Sequence, residues 1–232
     1  MEDQNKRSLF SKILLFAGMF VIPAFFILFF LQGTQNYFPL LYHGDHKIDQ
    51  NGDTTSYYTV PAYTFYNEKG EEITEKNFEN KILIVNYVFR GCPNLEVCPM
   101  DFKGFQRYIG DEMNDNSAFE DVFVLSHFEA DADTLPEMIE FISDHNINTE
   151  KWNVVTGDMG QIYNTTINGM NPWTAKDTIY GYDRRAKVLT LLIDRERHIR
   201  GVYHTRQLSE ITRITKEISI LLREERDERR GY

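Results

Sequence analysis

The sequence predicts an α/β domain, a sheet of parallel strands joined by helices and finished by a hairpin, placed behind an apolar helix at the N-terminus. Three observations predict it. The stretches KILIVNYVF (81–89) and DVFVLSHF (121–128) are almost continuously apolar and rich in β-branched residues, the pattern of strands buried on both faces of a parallel sheet. Apolar residues recur at helical spacing after the first of these strands and again at the end of the chain. The run ILLFAGMFVIPAFFILFFL (13–31) contains no charge.

That run comes first in the chain. It approaches the roughly 20 residues that a bilayer-spanning helix needs, and lipid tolerates its Pro23 better than water does. Lys6, Arg7 and Lys12 precede it, whereas QGTQNYFPLLY after it has no Lys or Arg. The excess of cations on the N-terminal side puts residues 1–12 in the cytoplasm and everything from about Gln32 outside. A cleaved signal peptide is the competing reading; against it, the run is long and no A-x-A pattern follows. Glu2 and Asp3 speak against an Arg-rich mitochondrial transit peptide. The expected organisation is a cytoplasmic N-terminus (1–12), a transmembrane anchor (13–31), a polar stalk (32–58), a folded domain (59–225) and a charged tail (226–232). The expected location is a bacterial inner (cytoplasmic) membrane, single-pass, with the domain periplasmic.

Within the domain, YTVPAYTFYNEKGEEIT reads as a hairpin turning at Lys69-Gly70. After strand 81–89, Phe102, Phe105, Ile109 and Met113 mark a helix. Strand 121–128 is followed by Thr134-Leu-Pro-Glu137, a capping box that opens a helix running to about His145. WNVVTGD (152–158) is a short strand, with a short helix expected from Met159 to Thr165. KVLTLLID (187–194) and HIRGVYHT (198–205) pair across Arg195-Glu196-Arg197, and Leu208, Ile211, Thr215, Ile218 and Leu222 mark a final amphipathic helix. A βαβ unit, a hairpin and a closing helix, in that order, make a thioredoxin-like α/β fold.

Composition narrows the function. The chain has 232 residues, 42% of them hydrophobic, enough for a real core. A net charge of −10 argues against a nucleic-acid partner, which would need clustered Lys and Arg. Two cysteines are too few for a disulfide-dense scaffold or for a zinc cage built from cysteine alone.

Those cysteines, Cys92 and Cys98, lie in FRGCPNLEVCPMDF, each followed by proline. They fall on the carboxyl edge of the sheet, directly after strand 81–89, where open α/β sheets collect ligands. Arg90 and the N-terminus of the following helix both favour a thiolate. A structural disulfide, a redox pair and a Cu(I) site all fit two thiols in an oxidising space.

The stretch VPAYTFYNEKGEEITEKNFENKILIVNYVFRGCP resembles the opening of the Sco (SenC) family of membrane-anchored, thioredoxin-like copper chaperones. In that family a Cys-Pro-x-x-Cys-Pro or Cys-x-x-x-Cys-Pro motif follows the first buried strand, and Cys92-Pro93 and Cys98-Pro99 take those places. Asp133, Thr134, Trp152, Thr156, Gly157 and Asp158 match its acidic helix start and its Trp…Thr-Gly-Asp strand, and LTLLID resembles its last strand pair. The resemblance covers nearly the whole chain. It implies a copper chaperone or thiol–disulfide reductant in cytochrome oxidase assembly, with the membrane and a copper-receiving oxidase subunit or its chaperone as partners. It also implies Cys92 and Cys98 as catalytic thiols and metal ligands. Two departures stand out. The cysteines are two residues further apart than in the family, and the segment that supplies its ligating histidine reads Arg185, Ala186, Lys187. The third ligand is therefore expected to be absent and Cu(I) to be preferred over Cu(II), which wants nitrogen and oxygen donors. His127, at the end of strand 121–128, is the histidine placed to substitute, with His204 a second candidate; a buried or hydrogen-bonded role competes for each. His145 suits a helix C-terminus. Two other function classes stay open: a membrane-anchored thiol–disulfide oxidoreductase without copper, and a degenerate binding module stapled by a disulfide. A peroxiredoxin-like peroxidase would want Thr or Ser where Phe89 stands.

Overall fold

A computed structural model describes residues 16–31, 38–44, 47–52, 54–89, 101–129, 134–157 and 190–230. The chain divides into two compact units, Met1–Phe38 and Pro39–Tyr232. In the first, a π-helical turn at Ala17–Val21 leads into α1 (Ile22–Leu31). Phe16, Met19, Phe20, Val21, Ile22, Phe25, Phe26 and Ile27 are all exposed. Among the described residues, no helix is long and apolar enough to cross a membrane. The apolar run begins at Ile13, and residues 13–15 lie outside the described part.

The second unit opens with two small antiparallel pairs. β1 (Lys47–Ile48) pairs with β2 (Thr54–Ser56), and β3 (Thr64–Tyr66) with β4 (Glu72–Thr74). The β3–β4 turn uses Gly70 at φ 73°, a left-handed backbone that glycine adopts without cost. Its rungs Asn67–Glu71 are closed by Asn67, whose Oδ1 accepts the amides of Lys69 and Glu71 at 2.9 Å each.

The main sheet has five strands. β5 (Ile82–Phe89) lies at its centre, β6 (Val122–Glu129) and β7 (Trp152–Val155) run parallel on one side, and β8 (Thr190–Ile193) and β9 (Ile199–Tyr203) run antiparallel on the other. The order is β7-β6-β5-β8-β9. Register is continuous from Ile82 opposite Val122 to Phe89 opposite Glu129. Side chains alternate between the two faces, so the apolar runs split into two cores. Ile82, Ile84, Val88, Val122, Val124 and Phe128 share one cluster with the helices, namely α2 (Phe102–Phe105), α3 (Asp111–Asp115), α4 (Thr134–Asp144) and α5 (Leu208–Arg230). Leu83, Val85, Tyr87, Leu125 and Ile193 share the other with Val60, Tyr63, Phe65, Ile73 and Phe78 of the β3–β4 region. Each fully buried Val, Leu, Ile or Phe contributes roughly 1.5–3 kcal/mol.

Between α2 and α3 the helix widens into a π turn at Gln106–Gly110. The crossover from β5 through these helices to β6 and the closing β8–β9–α5 give the thioredoxin-like α/β arrangement expected from the sequence. The described residues from Pro39 belong to the second unit: His43 bridges to Ile199 and Thr59 to His198. The expected helix at 159–165 lies outside the described residues.

Candidate functional site

Strand direction places one edge of the sheet apart from the rest. β5, β6 and β7 all end there, at Phe89, Glu129 and Val155. β8 starts there and β9 ends there, because Thr190 pairs with Tyr203. The connection leaving this edge after Phe89 contains Cys92 and Cys98 and returns at Asp101. Both cysteines, Arg90, Arg185, Ala186 and Lys187 lie outside the described residues. The structure fixes the return point. Asp101 donates its amide to the Thr205 carbonyl at 2.9 Å, its Oδ1 accepts the Gly104 amide at 3.0 Å, and its carbonyl accepts the Phe105 amide at 2.8 Å. The carboxylate thus caps the helix that follows the cysteines. A Cβ on Gly104 would come within 2.5 Å of that carboxylate, which keeps the position small. Thr205 is anchored in turn, its hydroxyl 2.8 Å from that of Thr190, and both are buried.

His127 reaches the same edge from the neighbouring strand, opposite Tyr87 on β5 and Val155 on β7. It is completely buried. Its ring meets Phe65 edge-on at 4.6 Å and Tyr87 at 6.1 Å, and neither ring nitrogen has a hydrogen-bond partner among the described residues. Burial holds its pKa down at about 3, so the imidazole is neutral at ordinary pH. Chemically it is a free nitrogen donor in an apolar wall. His204 differs in every respect: it is exposed, it follows β9, and it precedes the residue that anchors Asp101. The sequence places it one strand further from the cysteines, yet the Asp101–Thr205 bond brings its stretch of chain to the return point of their loop. His145 sits just past α4, where its Nδ1 donates to the Phe141 carbonyl at 2.9 Å.

On the opposite face lies a buried polar chain that the sequence reading did not single out. Trp152 Nε1 donates to Ser126 Oγ at 2.7 Å, and Ser126 Oγ donates to Asn86 Oδ1 at 2.5 Å. All three residues are buried. The signal was available: Asn86 and Ser126 interrupt apolar runs at positions two parallel strands bring level. Trp152 also packs against Phe105 at 5.3 Å. Thr156 exchanges backbone hydrogen bonds with Tyr66 at 2.8 and 2.9 Å. A Cβ on Gly157 would lie 3.0 Å from the Phe65 ring. The described part of the Trp…Thr-Gly stretch therefore seats the β3–β4 hairpin on the sheet and holds Phe65 against His127.

The family model for SCO1/SenC matches residues 51–223. Comparison with curated proteins finds no match. Among solved structures, a SCO1/SenC family lipoprotein from Bacillus anthracis is 17% identical and superposes with a TM-score of 0.54, covering 71% of this chain and 95% of its own. An Aquifex aeolicus protein provisionally assigned to electron transfer is 16% identical with a TM-score of 0.54, over 71% and 96%. A Bacteroides thetaiotaomicron protein provisionally assigned as a disulfide isomerase is 14% identical with a TM-score of 0.51, over 80% and 95%. At these identities the likenesses speak to the fold.

Proposed function

Because the chain belongs to the SCO1/SenC family, we propose that it is a copper chaperone and thiol–disulfide reductant of cytochrome oxidase assembly, acting through Cys92 and Cys98. The observation that carries the reading is where their loop begins and ends: it leaves the sheet at the end of β5 and returns at the capped start of α2. As a reductant, one thiolate attacks the partner's disulfide to form a mixed disulfide, and the second displaces the partner's thiol. Two electrons and two protons pass to the partner, and a Cys92–Cys98 disulfide remains. As a chaperone, the two thiolates hold Cu(I) as cargo, a soft ion suited to soft sulfur. His127 is the imidazole that the neighbouring strand offers, with both nitrogens unclaimed among the described residues. The absence of histidine at 185–187 favours Cu(I) over Cu(II) and keeps open a second reading, dithiol exchange without copper.

Membrane anchoring belongs to the same proposal. The 13–31 run is uncharged, its N-terminal flank holds Lys6, Arg7 and Lys12 while residues 32–42 hold no Lys or Arg, and α1 is built from apolar residues throughout. The domain is then periplasmic in a bacterial inner membrane, where disulfide exchange can operate. The deciding experiment is anaerobic Cu(I) titration of the full-length protein beside its Cys92→Ser and Cys98→Ser variants. One Cu(I) per chain, lost in either variant, supports the chaperone reading. Unchanged binding in both variants rejects it, and a reversible dithiol couple without copper binding moves the function to the second reading.

A further inference from the structure

The turn between β1 and β2 carries Asn51-Gly52. Asp49 builds this turn: its Oδ1 accepts the Asn51 amide at 2.8 Å, and its carbonyl accepts the Gly52 amide at 3.2 Å. Gly52 has φ 89°, a left-handed backbone suited to glycine, and both residues are exposed. A Cβ placed on Gly52 would meet nothing within 4 Å, so no neighbouring group crowds its backbone from that side. The Asn51 side-chain amide has no hydrogen-bond partner among the described residues.

These are the conditions under which a backbone nitrogen can attack the side-chain amide that precedes it. Any other residue after asparagine shields its own nitrogen with a Cβ, and glycine has none. The bond that occupies the Gly52 amide is at the long end of the ordinary range, roughly 2.7–3.2 Å, and water can replace it in an exposed turn. A lone two-stranded pair is marginal in water, which makes such opening cheap. Asn116-Ser117 shows the contrast. Asn116 also precedes a small residue, but its Oδ1 accepts the Ala118 amide and its Nδ2 donates to Glu112 Oε2, each at 3.0 Å. A side chain held at both ends is kept off the next nitrogen.

We propose that Asn51 is a site of spontaneous covalent modification, converting through a cyclic imide to a mixture of aspartate and isoaspartate. The Gly52 nitrogen bonds to Asn51 Cγ, the Cγ–Nδ2 bond breaks, and Nδ2 leaves as ammonia with the proton from Gly52. Solvent water then opens the imide at either carbonyl. The net change is asparagine plus water to acid plus ammonia, with no oxidant or reductant. Opening at the Asn51 backbone carbonyl gives isoaspartate, which adds a carbon to the backbone and a carboxylate two residues from Asp49. Lys47 opposite Ser56 and Ile48 opposite Thr54 close on this turn, so their pairing loosens as the protein ages.

The test incubates the full-length chain at mildly alkaline pH and maps it by peptide mass spectrometry. A purified isoaspartyl methyltransferase with a labelled methyl donor counts isoaspartate. The peptide bearing Asn51 should gain the amide-to-acid mass shift and the methyl label with time, while the peptide bearing Asn116 keeps its amide. Asn51→Gln should remove the label from that peptide, because the longer side chain must close a larger ring. The chain's second such pair, Asn168-Gly169, lies outside the described residues and is read on its own peptide. An Asn51 peptide that stays intact, whatever happens at Asn168, overturns the proposal, and so does equal conversion at Asn116.

Discussion

Replacing His127 by leucine should make the protein resist acid. The imidazole is completely buried and packed edge-on against Phe65, and burial lowers its pKa from 6.5 to about 3. The unfolded chain takes up a proton on this residue near pH 6.5, whereas the folded chain does so only near 3. Above pH 6.5 neither state is protonated and His127 contributes no pH dependence. As pH falls below 6.5 the unfolded state gains the proton first, and folding stability drops by about 1.4 kcal/mol per pH unit until the folded pKa is reached. At about pH 4.5 the loss is about 3 kcal/mol, and its ceiling is about 5 kcal/mol. His127→Leu removes that loss, and two nitrogens that have no partner among the described residues, in a side chain of similar volume. At about pH 7.5 the variant should equal the parent or exceed it by roughly 1 kcal/mol. Urea unfolding of parent and variant between those two pH values measures the effect, because other titrating groups cancel in the difference. A parent-to-variant difference that stays constant with pH would refute the reasoning: the imidazole would then have a partner or access to water.

Gly201→Ala should destabilise the sheet by roughly 1–3 kcal/mol, since its Cβ would lie 2.0 Å from the Tyr203 hydroxyl, and thermal unfolding measures the cost. Displacing that hydroxyl also breaks its 2.6 Å hydrogen bond to Glu217 on α5. Arg200→Met leaves Asp194 and Glu224 buried without their shared cation and should cost roughly 3–5 kcal/mol, read by denaturant midpoint. Ser126→Ala takes the acceptor from Trp152 Nε1; a loss of roughly 1–3 kcal/mol and a shifted tryptophan emission are expected, and an unchanged spectrum would show the bond to be absent.

The strands were legible because burial on both faces writes itself as unbroken apolar runs. Expected strands at 81–89 and 121–128 are found at Ile82–Phe89 and Val122–Glu129, and the pair around Arg195–Arg197 is found at Thr190–Ile193 and Ile199–Tyr203. The final helix follows its apolar spacing and runs on through the charged end to Arg230, where Arg and Glu are themselves good helix formers. The polar composition of 32–58 reads as a stalk and is silent on backbone pairing; among the described residues, Leu40 is hydrogen-bonded to Arg200 and Glu224, and His43 to Ile199. The π turn at Gln106–Gly110 left no mark either, since an extra residue in one turn changes no residue type. At the candidate site, position on the sheet edge could be read from strand order. Whether His127 was hydrogen-bonded could not, because that depends on Phe65 arriving from a hairpin over sixty residues earlier in the chain.

His43 and Thr59 also guard the outer edge of the sheet. A strand at the border of a sheet carries a row of amides and carbonyls able to recruit a strand from another molecule. On β9 that row is interrupted by this chain itself, with His43 on the rung of Ile199 and Thr59 on that of His198. A domain cut to begin after Thr59 would lose this cover. Its hazard would be intermolecular: sheet-to-sheet joining through β9, growing with protein concentration.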